Sequence, residues 1–180
     1  MTTYVALLRG VNVGKAKRVP MAEFRELLVA LGCTDVATLL NSGNAVFRAR
    51  AGTPARFASG IAEAIARKLK LEVPVIVKSA KELAAIVAEN PVRVDAAEHS
   101  RFLVAFTQEP AALGDLAAIE PLLRPTERFA IGKHAAYLYC ADGILKSKAG
   151  EALLGKRGRR ATTRNYATTL KLLALAEKAG

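Results

Sequence analysis

Two polar turns near the start of the chain carry the side chains best suited to binding chemistry. One is the segment RGVNVGK at 9–15, after the apolar run 4–8, and the other is NSGN at 41–44. Guanidinium, ammonium and amide groups donate hydrogen bonds that suit carboxylates and phosphates. Backbone N–H groups at a glycine turn favour anions as well. These residue types predict an anion-binding site, provided that the fold brings the two turns together.

The first turn matches a phosphate-binding P-loop only in part. A P-loop has four residues between its glycines and a Ser or Thr directly after its Lys. Here three residues separate Gly10 from Gly14, and an alanine follows Lys15, so the hydroxyl that would hold magnesium is missing. The sequence therefore argues against ATP hydrolysis at this loop. Two interpretations stay open: a simple anion site, or a tight turn that needs glycine for its backbone conformation.

The spacing of apolar residues predicts the elements that position these turns. In the first half these elements are strands over 3–8, 35–40, 45–49 and 73–78 and helices over 20–31 and 54–69. Their β-α-β-β-α-β order is that of a ferredoxin-like unit, in which we expect the first and third strands to be adjacent and antiparallel. Both turns then lie at one edge of the sheet. Asn12 and Asn44 would either hold a ligand there or hydrogen-bond within the loops and fix them.

The second half of the chain repeats this pattern incompletely. Its predicted elements are strands over 102–107, 128–131 and 135–140 and helices over 79–88, 110–123, 146–154 and 163–178. A glycine- and arginine-rich loop and the terminal helix stand where a fourth strand is expected. We therefore predict an α+β fold with a ferredoxin-like βαββαβ subdomain at 1–79. A second, incomplete ferredoxin-like α/β subdomain follows at 80–180, with a connecting helix and a basic C-terminal loop and helix.

The charge of the chain is strongly positive and unevenly distributed. The formal net charge is +11, and residues 143–180 alone hold nine basic and two acidic residues, a local charge of +7. A second cluster, Arg9, Lys15, Lys17 and Arg18, contains no acidic residue between its members. Such fields attract polyanions, nucleic acids among them. The alternatives are an ordinary solvated surface, or a compositional bias toward Arg and Ala.

Catalytic and metal-binding functions are disfavoured. Cys33 and Cys140 have no metal-ligand spacing, which predicts two free thiols in a reducing cytosol. His99 and His134 lack a recognisable nucleophile partner pattern, and no acidic pair has a spacing typical of metal or paired-carboxylate sites. We therefore predict no catalytic residue, no metal and no cofactor, and we favour a binding role over an enzymatic one.

RNA recognition by base stacking and membrane insertion are disfavoured too. Stacking on a ferredoxin-like sheet needs exposed aromatic residues on the central strands, where the sequence offers only Tyr4 and Phe47. No apolar run approaches the ~20 residues that span a bilayer, and no signal-peptide pattern is present. We expect a cytoplasmic protein without membrane contact.

Four sequence blocks resemble those of one bacterial family. They are YVALLRGVNVG at 4–14, FRELLVALG at 24–32, NSGNAVF at 41–47 and TRNYAT at 163–168. Together with their spacing, they resemble the family called domain of unknown function 1697, over essentially the whole chain. The resemblance implies an α/β arrangement with ferredoxin-like elements and brings no established activity, substrate or catalytic residue. The sequence departs from the family at Lys15, where a small residue is common, and at Tyr166, where Trp is frequent.

We predict that the two turns and the segment 163–165 form one polar, cationic pocket; the third segment is included because of the family resemblance. The predicted ligand-binding residues are Arg9, Gly10, Asn12, Gly14, Lys15, Ser42, Gly43, Asn44, Lys148, Thr163, Arg164 and Asn165. The predicted function is a binding module for a phosphate-bearing small molecule or a nucleic-acid backbone. The alternatives are an enzyme acting on a phosphate-bearing substrate in the same pocket, and a purely structural or interaction protein.

Overall fold

The structure, a computed structural model, describes residues 1–15 and 17–180. It divides into two compact units, the first comprising Met1–Leu83 with Leu172–Gly180 and the second comprising Ala84–Lys171. Each unit contains one four-stranded antiparallel sheet. The chain therefore has an α+β fold. The division into domains at residues 79 and 80 stays a prediction, since compactness alone does not define where a chain separates into folding domains.

The first unit has the element order that the sequence predicted. Its elements are β1 (Thr2–Leu8), α1 (Met21–Ala30), β2 (Thr34–Leu39), β3 (Asn44–Ala49), α2 (Pro54–Leu69) and β4 (Val75–Ser79), followed by α3 (Ala80–Ala88). The strand order is β2-β3-β1-β4, with β1 antiparallel to both of its neighbours. Because β1 and β3 are adjacent and antiparallel, the end of β1 and the start of β3 lie at the same edge of the sheet.

Side-chain caps explain where two helices of the first unit begin. Thr53 precedes α2, and its Oγ1 accepts a hydrogen bond from the backbone N–H of Arg56 at 3.2 Å. Ser79 precedes α3 and forms a reciprocal pair with Glu82: Ser79 Oγ accepts from the Glu82 N–H at 3.2 Å, and Glu82 Oε2 accepts from the Ser79 N–H at 2.7 Å. Both patterns satisfy N–H groups that the first helical turn leaves without a helical partner.

The core of the first unit lies between its sheet and its first two helices, and the rings of Tyr4, Phe47 and Phe57 pack together within it. Tyr4 of β1 stacks on Phe47 of β3 at a centroid distance of 5.6 Å, and Phe57 of α2 packs 4.7 Å from Tyr4. Tyr4 is only 3% exposed and Phe47 is fully buried. Neither ring is available for stacking on a base, which agrees with the sequence-based argument against an RNA-stacking sheet.

The second unit has an equivalent arrangement of four strands, and the helices between its strands are mostly 3₁₀ helices. Its strands and its α-helix are β5 (Phe102–Thr107), β6 (Arg128–Ile131), β7 (Ala135–Tyr139), α4 (Lys148–Leu154) and β8 (Ala161–Asn165). The terminal helix α5 (Tyr166–Ala179) follows, and its residues from Leu172 onward belong to the first unit. The strand order is β6-β7-β5-β8. The segment 110–122, which was predicted to be mostly helical, is a 3₁₀ helix with Pro121 inside it.

The fourth strand of the second unit corrects the sequence analysis. The prediction that this half lacks its fourth strand is wrong, because Ala161–Asn165 pairs antiparallel with β5, placing Arg164 opposite Val104. The terminal helix consequently begins at Tyr166 and not at Thr163. Asn165, the last residue of β8, caps it: Asn165 Oδ1 accepts from the Thr168 N–H at 2.8 Å. The two threonines at 162–163 are strand residues, for which β-branched side chains are well suited.

Within the described ranges 1–15 and 17–180, no helix has both the length and the apolar character needed to cross a membrane.

Candidate anion-binding site

The two polar turns of the first unit meet at one edge of the sheet, as the topology predicted. The backbone N–H of Leu8, at the end of β1, donates to the carbonyl of Gly43 at 2.8 Å. The Asn12 side chain, in the loop after β1, donates through Nδ2 to the carbonyl of Asn41 at 2.7 Å. These two contacts join the loop after β1 to the turn before β3.

Asn12 holds the loop after β1 in its folded conformation. Its Oδ1 accepts from the Val19 N–H at 2.9 Å, while its Nδ2 donates to the carbonyls of Val19 and Asn41. Its backbone N–H donates to the carbonyl of Lys17 at 2.8 Å. Both Nδ2 hydrogens are therefore used inside the protein. At this residue the structure favours the interpretation that the amide fixes the loops.

Gly43 and Asn44 hold the other turn, the one before β3, against the end of β1. Gly43 has a φ of +83°, and a Cβ added there would lie 2.6 Å from Leu8 Cβ and 2.9 Å from Val11 Cγ2. Only glycine tolerates both the backbone conformation and the close approach. Asn44 is fully buried, and its Nδ2 donates to the carbonyl of Leu39 and to Ser42 Oγ, each at 2.9 Å. This turn is therefore rigid and closely packed against the end of β1.

Most of the basic side chains of the loop after β1 are exposed. Lys15, Lys17 and Arg18 are exposed, whereas Arg9 is half-buried. Arg18 Nη2 donates to the carbonyl of Gly14 at 3.0 Å, and Lys17 Nζ donates to the carbonyl of Glu72. Burial lowers the pKa of Arg9, but a guanidinium remains charged at neutral pH. The edge thus presents positive charge on a backbone held by neutral groups.

The predicted residues of the second unit have different environments from one another. Lys148 is the exposed first residue of α4, and Thr163 is half-buried in β8. Arg164 is only 7% exposed; its Nη1 donates to Thr162 Oγ1 at 3.0 Å and to the carbonyl of Thr163 at 2.8 Å. Burial lowers the pKa of Arg164 to about 10, so the guanidinium is still charged at neutral pH. The convergence of these residues with the first-unit turns stays a prediction.

The second unit contains a polar cluster at the turn before β7 that was not predicted from the sequence. His134 Nδ1 lies 2.9 Å from Glu89 Oε2, and the His134 backbone N–H donates to Glu89 Oε1 at 2.8 Å. Tyr137 donates its hydroxyl to Glu89 Oε1 at 3.3 Å and also to the carbonyl of Ile86. No local sequence motif predicts this cluster, because Glu89 is 45 residues from His134 in the chain.

The pKa values in this cluster follow from burial and from the shared carboxylate. Partial burial raises the pKa of Glu89, but the hydrogen bonds and charge of His134 outweigh it, so the pKa lies below its ordinary value. Burial, and then the adjacent Glu89 carboxylate, raise the pKa of Tyr137. The cluster ties the hairpin turn to the residue that follows α3. Its groups bond to one another, which suits a structural role.

A second buried basic side chain, that of Lys78 in β4, was not predicted from the sequence either. It is 7% exposed and lies opposite Val5 in the sheet of the first unit. A sequence signal exists in hindsight, since Lys78 directly precedes the capping residue Ser79, as Arg164 directly precedes the capping residue Asn165. No group of three or more His, Cys, Asp or Glu residues in the described part of the chain is arranged to hold a metal ion.

The fold defines an α+β protein with two four-stranded antiparallel sheets, one in each of two units with the same strand order. The chain belongs to the family described as "Protein of unknown function (DUF1697)", whose model matches residues 1–137. The resemblance to this family is thereby confirmed for the three blocks at 4–14, 24–32 and 41–47, while the block at 163–168 lies outside the matched residues.

A solved structure supports the same fold. The conserved bacterial protein SP0830 from Streptococcus pneumoniae is 26% identical, with a TM-score of 0.79 over 97% of this chain and 98% of that chain. Protein BT0572 from Bacteroides thetaiotaomicron is 11% identical with a TM-score of 0.23, over 94% of this chain and 96% of that chain; at that score the likeness carries no argument. Among curated proteins, none matches this chain.

Proposed function

We propose that the protein is a cytoplasmic binding module for an anionic ligand, either a phosphate-bearing small molecule or the backbone of a nucleic acid. The contact surface in this proposal is the cationic loop, which we define as residues 9–15, 17 and 18. The cytoplasmic assignment is supported by two buried free thiols, Cys33 and Cys140, because disulfides are rare in reducing compartments.

One observation carries the proposal: a run of four cations stands on a backbone that neutral groups have already fixed. Arg9, Lys15, Lys17 and Arg18 have no acidic residue among them in the sequence. The Asn12 amide and the tight packing of Gly43 hold the loop in place. A pre-organised site loses less conformational entropy when it binds. Such a loop therefore favours an anion more than the same charges on a flexible segment would.

The exposed Lys148 belongs to the proposal as a further phosphate contact. Arg164 and Asn165 contribute less, because their side chains already bond to the protein: Arg164 Nη1 donates to Thr162 and Thr163, and Asn165 Oδ1 accepts from the first turn of α5. An enzymatic use of the cationic loop would need a nucleophile or general base beside it. The polar side chains described in that loop are basic or amide groups, and this composition favours binding over catalysis.

The test is fluorescence polarisation with short single- and double-stranded DNA and RNA at ~50 and ~200 mM salt. We expect binding that weakens steeply with salt, by ~0.9 log unit per log unit of salt for each duplex phosphate neutralised. Lys15→Gln and Arg18→Gln should each lower the magnitude of that slope by ~0.9, the contribution of one phosphate contact. Arg67→Gln is the matched control, because Arg67 is an exposed cation on α2, outside the loop.

The control and the competing ligand class decide the outcome. Equal losses in Arg67→Gln and Lys15→Gln would contradict a localised site and make the net charge responsible. Absence of nucleic-acid binding at the lower salt would restrict the proposal to small anions, to be tested with pyrophosphate and mononucleotides. If none of these binds, the proposal fails and a structural or interaction role takes its place.

A further inference from the structure

The first unit contains a cavity of about 800 Å³ at the edge of its sheet opposite the cationic loop. It lies where β1 and β2 begin and β3 ends, beside the first two turns of α2. Buried Cys33, Ala49 and Ile61 contribute an apolar surface, and the half-buried ring of Phe57 adds an aromatic one. A cavity of this volume falls in the range of small-molecule sites, roughly 300–1,000 Å³.

The wall of the cavity formed by the turn before α2 is held in a defined position. Tyr4 donates its hydroxyl to the carbonyl of Gly52 at 2.9 Å, and the Tyr4 ring packs against Phe57 at 4.7 Å. Gly52 approaches Phe57 so closely that an added Cβ would lie 2.7 Å from Phe57 Cε2. The aromatic surface is therefore fixed by core contacts, as a pre-formed site requires.

Two arginines give this apolar cavity its charge. Arg50, just after β3, and Arg56, in the first turn of α2, both line it and are exposed. Neither forms an ion pair with any residue in the described ranges 1–15 and 17–180, and no Asp or Glu is among the lining residues. The cavity thus combines an apolar interior with two guanidinium groups whose charge no carboxylate neutralises.

We propose that this cavity binds an amphipathic small-molecule anion: a carboxylate, sulfonate or phosphate group carried by a compact apolar or aromatic body. The apolar body packs against Phe57, Ile61 and Ala49, and the anionic group accepts hydrogen bonds from Arg50 and Arg56. Charge-assisted hydrogen bonds from arginine suit such oxyanions. This site is separate from the cationic loop and does not depend on the function proposed for that loop.

Two fluorescent probes with the same aromatic body test the proposal. 8-Anilino-1-naphthalenesulfonate carries an anionic group, and N-phenyl-1-naphthylamine lacks it. We expect the sulfonate to bind saturably and more tightly than the neutral probe. Arg50→Gln and Arg56→Gln should each weaken sulfonate binding ~tenfold, the loss of one charge-assisted hydrogen bond, and leave the neutral probe unchanged. Arg67→Gln, which removes an equal charge farther along α2, should change neither.

Gly60 provides a variant that fills the cavity without disturbing the core. Gly60 lines the cavity, and a Cβ added there meets no atom within 4 Å. Gly60→Leu should abolish binding of both probes, while Gly60→Ala, which adds only a methyl group, should retain it. Circular dichroism and thermal unfolding of each variant verify that the fold is intact.

Four results would overturn the proposal. One is the absence of saturable sulfonate binding, and another is full binding to a folded Gly60→Leu protein. Equal weakening by Arg67→Gln would show a general charge effect. An unchanged affinity for the sulfonate probe in both Arg50→Gln and Arg56→Gln would show that the cavity is apolar and does not recognise the anionic group.

Discussion

The two units share one strand order and differ at the edge where the first strand ends and the third begins. In the first unit, Asn44 starts β3 opposite Leu7, and the preceding turn is closed by neutral amides and by glycine. In the second, Ala135 starts β7 opposite Phe106, and the preceding turn is tied by the His134 contacts to Glu89. The first turn stands beside a loop of exposed cations, whereas the second bonds its titratable groups to one another. The same topology therefore supports a candidate ligand site in one unit and a structural cluster in the other.

The last strands of the two sheets, β4 and β8, carry equivalent residues, in contrast to the two turns. Lys78 lies opposite Val5 in the first sheet, and Arg164 lies opposite Val104 in the second. Both basic side chains are 7% exposed. Each precedes the residue that caps the next helix. A buried basic residue followed by a cap is thus common to the two units, and the capping bond gives Asn165 a structural role.

The largest effect should come from removing the close packing that defines the first-unit edge. Gly43→Ala places a Cβ against Leu8 and Val11 at a φ of +83° and should lower the free energy of unfolding by about 3 kcal/mol. Gly10→Ala is the matched control: its φ is +67°, but an added Cβ meets nothing within 4 Å, so strain alone costs about 1 kcal/mol. Urea unfolding measures both. Equal losses would contradict the packing argument.

Asn12 should have the next largest effect, because it joins the two turns of that edge. Asn12→Ala removes three side-chain hydrogen bonds and leaves alanine at a φ of +57°, a loss of about 2 kcal/mol. Asn12→Gly relieves the backbone strain while still lacking the amide, so its loss, measured by urea unfolding, should be smaller. Polarisation binding should weaken in both variants if loop rigidity matters. Unchanged binding in a destabilised variant would contradict pre-organisation.

The helix caps test the agreement between the two last strands. Ser79→Ala and Asn165→Ala each remove one cap and should each cost about 1 kcal/mol, the usual value for such residues. Thermal unfolding of both variants is the measurement. If Asn165→Ala left stability unchanged but abolished ligand binding, Asn165 would belong to a binding site. Ser79 and Asn165 would then not be equivalent capping residues.

The smallest effect should come from the second-unit cluster and should depend on pH. The folded state lowers the pKa of Glu89, so its carboxylate stabilises the protein above the ordinary glutamate pKa of ~4.3. That stabilisation is lost as the pH falls through the lowered folded value. Glu89→Gln should therefore cost about 0.5–1 kcal/mol at neutral pH and less at pH ~3, which is below the ordinary glutamate pKa. Urea unfolding at both pH values measures the difference in stability between the wild type and the variant. Equal differences at the two pH values would contradict this account.

The sequence was sufficient for the order of elements in the first unit, where periodicity and turn residues agree. It failed at Ala161–Asn165, because a basic turn followed by Thr-Thr-Arg-Asn reads as a helix start and a buried arginine is atypical of a strand. The pairing of this segment with β5 is a tertiary contact that local patterns do not contain. The meeting of the two turns was predictable from topology. The engagement of the Asn12 amide within the loops was not, since it depends on three-dimensional distances.

The Glu89–His134 cluster and the cavity near Phe57 were beyond prediction for a related reason. Each is assembled from segments distant in the chain, and neither leaves a spacing signature. The buried basic residue and cap at the end of each sheet became recognisable once the sheet registers placed Lys78 and Arg164 at equivalent positions.

The central claim is that the cationic loop is the anion-binding surface. The most direct test is an amide proton–nitrogen NMR titration of the intact protein with pyrophosphate and with a short oligonucleotide. We predict that the amide signals of Gly10, Gly14 and Lys15 shift saturably, together with that of Ser42 in the adjoining turn. Shifts confined to the second-unit turns at 132–134 and 155–160, or no shifts with either probe, would contradict the claim.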